Sequence, residues 1–209
     1  MKRAAATTVF GCAAVLLGYP DDGFAGDLAA TRRAAATLPS GRARAAIAAA
    51  VDWLSAMTPM QAARTYVDTF DLRRRTSLDL TYYRHGDTRE RGLALTALVD
   101  VYRAAGFATV PGELPDFLPA LLELAASHPT GAAVLGEQRM ALDALGLALD
   151  EARSGYAPVV SAVVEALPSP SRADRAALER YRAQGPPSEQ VGLEPFAPPE
   201  WLGDKAARI

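Results

Sequence analysis

The chain has 209 residues, half of them hydrophobic and 22% charged, with a formal net charge of -2. That length is enough to bury one sizeable core, and so slight an acidity offers no broad attraction to nucleic acid or to an anionic membrane. A single cysteine, Cys12, excludes an intramolecular disulfide and a redox pair, which fits a cytoplasmic protein.

At the start of the chain, Met1-Lys-Arg3 followed by the apolar run Val9 to Leu17 reads in two ways. It is either the first helix of a bundle or the charged start and short hydrophobic core of an export signal. No small-residue cleavage site follows closely, and the run leads straight into Gly18-Tyr-Pro-Asp21, so the helix is the preferred reading. It is too short to cross a bilayer, which takes about 20 apolar residues. Apolar residues then recur at helical spacing, as in Ile47, Ala50, Val51 and Leu54, in Ala63, Tyr66, Val67 and Phe70, and in Leu118, Leu121, Leu122 and Ala125. Thr58-Pro-Met-Gln61 supplies a capping hydroxyl, a proline at the first helical position and an amide three residues on. Asp87-Thr-Arg-Glu90 repeats that logic with a carboxylate, opening a helix with a polar edge at Thr96, Asp100 and Arg103 and a left-handed end at Gly106.

These signals predict helices near 4–17, 22–37, 41–56, 59–70, 88–105, 116–127, 131–153, 156–166 and 172–183. No strand is predicted, and no fixed period near 34 or 40 residues suggests a solenoid. The expected fold is an all-α, single-domain compact bundle over residues 1–184. Residues 185–209, with Pro186-Pro187, Pro195 and Pro198-Pro199, cannot continue a helix and form a Pro/Gly-rich tail, extended or disordered.

Chemistry is sparse. Two histidines, His85 and His128, and one cysteine offer no clustered metal ligands, and neither a phosphate-binding loop nor a dinucleotide fingerprint is present. Cys12, in an apolar helix, reads as a buried, inert thiol. Asp68, Asp71, Asp79 and Asp87 could be imagined as an acid–base pair, but catalysis needs environments that separate two pKa values, and spacing does not show that. Arg73-Arg74-Arg75 reads as a solvated turn or as a charged contact to a partner protein. No bound cofactor is expected.

Two stretches break the helical monotony. Leu80-Thr-Tyr-Tyr-Arg-His-Gly-Asp87 is too aromatic for a plain exposed loop and too rich in turn formers for a helix interior; tyrosine there suits either the wall of a peptide groove or packing onto the bundle. In Glu113-Leu-Pro-Asp-Phe-Leu-Pro119, Pro115 pushes Leu114 toward an extended conformation, and Asp116 can cap the helix that follows. Together with Tyr66-Val-Asp-Thr-Phe-Asp71 and Arg89-Glu-Arg-Gly92, these strings resemble the molybdenum-cofactor assembly chaperones of respiratory nitrate reductase, the delta subunit, within the all-helical chaperones of molybdoenzyme maturation. The resemblance is densest from Thr65 to Ala126.

The resemblance implies a non-enzymatic chaperone that binds the apo catalytic (alpha) subunit of respiratory nitrate reductase, including its N-terminal segment. The client would be held competent for molybdenum-cofactor and iron–sulfur insertion before membrane docking. It also implies client contacts at Asp71, Leu80, Tyr82, Tyr83, Gly86, Asp87, Arg89, Glu113, Leu114, Pro115, Asp116 and Phe117. The shared aromatic and acidic character of the tyrosine stretch and the Glu113–Pro119 turn places the expected groove between them. The wider group carries Glu-x-Pro-Asp-His, and this chain has Phe117 at the histidine position. Neither nucleic acid nor insertion into the membrane is expected, and the chaperone would be a monomer or weak dimer. The alternatives are a sister chaperone for a sulfoxide or amine-oxide reductase, a helical hydrolase, and a structural adaptor.

Overall fold

A computed structural model describes residues 2–188. Eleven α-helices fill them: α1 (Arg3–Leu16), α2 (Phe24–Ala36), α3 (Arg42–Ser55), α4 (Pro59–Tyr66), α5 (Leu80–His85), α6 (Arg89–Ala104), α7 (Leu118–Ser127), α8 (Pro129–Glu137), α9 (Arg139–Glu151), α10 (Ala157–Ala166) and α11 (Arg172–Gln184). Among the described residues there is no strand, only an isolated antiparallel bridge between Asp79 and Phe117. The all-α expectation holds. The expected tail lies outside the described residues from position 189 onward.

Apolar stripes account for the packing. Val9, Phe10, Ala13 and Leu16 on α1 are buried, as are Leu118, Leu121, Leu122 and Ala125 on α7, and these two helices form the centre of the bundle. The apolar run at the chain's start is thus core helix. α10 lies against α3 and α1, and α9 against α10, α11 and α5. An aromatic chain runs along one side, with ring centroids 5.3 Å apart for Tyr19 and Tyr66, 5.0 Å for Tyr66 and Phe70, 4.7 Å for Phe70 and Tyr156 and 4.9 Å for Tyr156 and Trp53. Such tilted and edge-on pairs add about 0.5–1.5 kcal/mol each beyond their buried area. Cys12 is buried, and burial pushes its thiol up to about 11, as an inert cysteine requires. No helix is long and apolar enough to cross a membrane among the described residues.

Caps and turns explain where the early helices begin and end. Thr58 and Gln61 form the expected reciprocal capping box, and Gly106 closes α6 with a φ of +82°. α4 ends at Tyr66 and continues as a wider π turn, Val67–Asp71, in which the Leu72 amide reaches back to the Val67 carbonyl.

Three expectations need correction. The 131–153 helix is two helices, broken at Gln138, because the buried Arg139 turns to hold Asp143 at 3.0 Å and the Pro168 carbonyl at 2.5 Å. Leu80–His85, expected as loop, is helix α5. Asp87 does not cap α6: Thr88 occupies the cap position without a side-chain bond to the first turn, and Asp87 instead accepts from Arg74 at 2.7 Å.

Candidate functional site

The two irregular stretches meet at one place. The Leu80 amide donates to the Asp116 carbonyl at 3.1 Å and the Leu118 amide to the Leu78 carbonyl at 2.9 Å, stitching both sides of the Asp79–Phe117 bridge. The Asp116 carboxylate is fully buried, and its Oδ2 accepts from the Thr81 amide at 3.1 Å and the Thr81 hydroxyl at 2.5 Å. Asp116 therefore satisfies the free amides that begin α5, 35 positions upstream. It does not cap α7, where Phe117 holds the cap position and makes no side-chain cap bond. This is why six residues rich in β-branched and aromatic side chains stay helical: a distant carboxylate caps them, and α9 and α6 pack on them.

Arg91, entering from α6, completes the centre. Its Nη2 lies 3.1 Å from Asp79 and 3.6 Å from Asp116, its Nε donates to the Thr81 hydroxyl at 3.3 Å, and its guanidinium sits 5.9 Å from the Tyr82 ring centroid. Burial, and then the neighbouring Asp116, push the Asp79 carboxyl above its ordinary value, while Arg91 pulls the other way. The arrangement is a structural knot of charges, in which the two Asp79 and Asp116 carboxylates share one guanidinium.

The candidate contact residues divide by exposure. Leu80, Tyr83 and Asp116 are buried inside, and the Tyr83 hydroxyl lies 2.9 Å from the Ser77 carbonyl with its ring 5.4 Å from Tyr181 of α11. These three support the site from behind. Gly86 is buried too, with no room for a Cβ, which would collide with the Pro187 carbonyl. Tyr82 is nearly buried and keeps one edge at the surface, Phe117 is half-buried against the core, and Pro115 is covered. Asp71, Asp87, Arg89, Glu113 and Leu114 are exposed.

The structure thus replaces the expected groove between the two stretches with direct pairing, and a hollow lies on each flank of the bridge. One, of about 180 Å³, is lined by Phe70, Asp71, Arg74, Asp79, Tyr82, Asp87 and Arg91 and is polar. The other, of about 130 Å³, lies between the end of α6, the loop before α7 and α7 itself, and includes Tyr102, Phe107, Val110, Glu113, Leu114, Pro115 and Glu123. Helix α6 links them, since Arg91 lines the first and Tyr102 the second, roughly 16 Å apart along the axis at 1.5 Å per residue.

α6 is also a sparsely packed long helix beside these hollows. Of its sixteen residues only Leu98 and Tyr102 are buried, and Leu93 is 74% exposed. Leu93 stands in line with Thr96, Asp100 and Arg103, the edge read from sequence as polar; a leucine in that row was the available signal for a partner surface. Phe107 to Val110 reads in sequence only as an alternating run too brief for a strand, and Tyr102 and Glu123 carry no motif; only the folded loop brings the four together.

Similarity to known proteins follows the same geography. The family model of the nitrate reductase delta subunit matches residues 37–162, which include both stretches, both hollows and α6. The chain belongs to the nitrate reductase delta subunit family. It is 41% identical over 157 residues to the nitrate reductase-like protein NarX of Mycobacterium tuberculosis, covering 74% of this chain and 24% of that protein. It is 32% identical over 124 residues to the probable nitrate reductase molybdenum cofactor assembly chaperone NarJ of Bacillus subtilis, covering 59% of this chain and 67% of that one. Its identity with the nitrate reductase molybdenum cofactor assembly chaperone NarJ of Escherichia coli is 39% over 106 residues, half of this chain and 45% of that one. The match thus spans about a quarter of NarX and just under half of the Escherichia coli NarJ. The NarJ relatives bear the names of assembly chaperones, not of catalysts.

Proposed function

We propose that this delta-family protein is a cytoplasmic chaperone that binds the immature catalytic subunit of respiratory nitrate reductase, its N-terminal segment included. It holds that subunit open for insertion of the molybdenum cofactor and iron–sulfur clusters before membrane docking. Family membership carries the reading: the delta-subunit model matches residues 37–162, the span that holds α6 and both hollows. A client segment folded as an amphipathic helix lies along α6, covers Leu93 and reaches the hollows at either end, with Asp71, Asp87 and Arg89 near one and Glu113 and Leu114 near the other. The helical unit of residues 1–184 suffices for this. Preferential affinity for the unfinished conformer is all the mechanism requires: once the client's segment is sequestered in the mature enzyme, the chaperone is released.

The test is calorimetric titration of the catalytic subunit's N-terminal peptide, and of apo and cofactor-loaded enzyme, into the full chain. The reading expects binding of peptide and apoenzyme, loss of binding on loading, and a fall of roughly tenfold or more with Leu93→Glu, which places a charge where the client's apolar face rests. Failure of both peptide and apoenzyme to bind overturns it. Binding only to the apo form of a sulfoxide or amine-oxide reductase would transfer the same mechanism to a sister client.

A further inference from the structure

We propose that the hollow formed by Tyr102, Glu113 and Glu123 is a recognition pocket for one cationic side chain, arginine or lysine, of the client segment. This rests on the client-binding reading above and adds what that reading does not specify, namely which chemistry on the client is selected and by which residues.

The hollow is small, about 130 Å³, and its charged groups are two carboxylates, with the hydroxyls of Tyr102, Thr109 and Ser127 beside them. Glu113 and Glu123 both line it, and among the described residues neither carboxylate makes an ion pair or a side-chain hydrogen bond. Tyr102 is 5% exposed, yet its hydroxyl has no partner among the described residues, although buried polar atoms are nearly always paired. Burial, and then Glu113, raise the Glu123 carboxyl above its ordinary value. Tyr102 is raised as well, by burial and then by Glu113, Glu123 and Asp116. Two exposed carboxylates with no cation and a buried phenol hydroxyl with no partner leave hydrogen-bonding capacity unused around one cavity. A guanidinium or ammonium placed among them offsets the repulsion and gives the phenol oxygen a donor.

The rim fits the rest of such a residue. Phe107, Val110 and Leu114 are exposed by 40%, 62% and 42%, and they surround the mouth with apolar surface on which the methylene stem of arginine or lysine can lie. Arginine at this chain's own end of α6 does not fill the place, since the Arg103 guanidinium is held 2.6 Å from Asp100.

The experiment uses the full chain and an N-acetylated peptide from the catalytic subunit's N-terminus, so that no terminal amine competes for the site. Each basic residue of the peptide is replaced in turn by glutamine, and each arginine also by lysine. Binding is measured for wild type, for Glu113→Gln/Glu123→Gln and for Tyr102→Phe, with circular dichroism confirming that each variant is folded. The expected result is a loss of roughly tenfold or more for the double variant. One peptide position should show the same loss against wild type and none further against the double variant, and Tyr102→Phe should weaken binding in the same direction. Retention of affinity by Arg→Lys would identify a point-charge pocket, and its loss a guanidinium pocket; either supports the proposal. Wild-type affinity in a folded double variant, or additive losses at every peptide position, would overturn it. Should the peptide not bind wild type at all, the client reading fails instead. The pocket is then decided with N-acetylarginine methylamide, whose binding should shift the Tyr102 and Glu123 resonances in wild type but not in the double variant, and whose failure to do so rejects it.

Discussion

Asp116 shows how far a single residue's chemistry can be read and where the reading stops. Its type, a short carboxylate after proline and before an apolar stripe, announces a cap, and a cap it is. The amides it serves, however, begin α5 and not α7, because the chain doubles back at the Asp79–Phe117 bridge and presents Thr81 to it. Removing this carboxylate strands the Thr81 amide and leaves Arg91 with one buried anion fewer. Asp116→Ala should therefore destabilise the protein by about 3 kcal/mol, within the range for breaking one side of a buried charged pair. Urea denaturation measures it, and a loss under about 1 kcal/mol would mean that water or Asp79 takes over the role. Phe117 is the counterpart case: resemblance marks it as a departure from a histidine pattern, and its half-buried ring against the core accounts for an apolar residue there.

Among the elements, helices with strong stripes and local caps were legible, while those dependent on distant partners were not. α1, α3, α4 and α7 announced themselves through apolar spacing or through the Thr58–Gln61 box. α5 did not, since its six residues have poor intrinsic propensity and gain their helical state from Asp116 and from packing. Nor did the break at Gln138: Gly136, two residues earlier, is a weak signal, since Gly146 lies inside the unbroken α9, and the change of direction goes with Arg139's bonds to Asp143 and Pro168. The α7–α8 corner depends on close approach: a Cβ on Gly131 would collide with the backbone of Ala125 and Leu124. Backbone cannot move aside as a side-chain tip can. Gly131→Ala should cost about 1–3 kcal/mol despite alanine's better helix propensity, read as a lower urea midpoint with an unchanged slope. A neutral or stabilising result would show that α8 can slide away from α7.

For the molecule as a whole, stability and binding pull against each other at the α6–α7 hollow. The Glu123 carboxyl is raised in the folded state, so the native protein holds its proton more tightly than the unfolded chain does. Its ionisation is therefore destabilising at neutral pH. That penalty fades as pH falls through the raised folded value and is gone below the unfolded value near 4.5. Glu123→Gln should accordingly be at least as stable as wild type at pH 7.5, with the advantage shrinking toward pH 4, measured as the difference in urea midpoint across that range. An advantage that grows with acidity would reverse the sign and show Glu123 to be a stabilising anion. A side chain that weakens the fold yet sits where a client's charge belongs is a common feature of functional surfaces.

From the order of residues alone came the helical class, most helix positions, and the two stretches that distinguish this chain from a generic bundle. Periodicity and local caps depend on neighbours within one or two turns, and those neighbours are adjacent in the chain. Only the tertiary structure decided that the stretches pair instead of facing each other across a groove, that Leu80, Tyr83 and Asp116 lie inside, and that Tyr102, Glu113 and Glu123 share one hollow. Each of those depends on groups tens of residues apart being brought within a few ångströms, and no local pattern records such a distance.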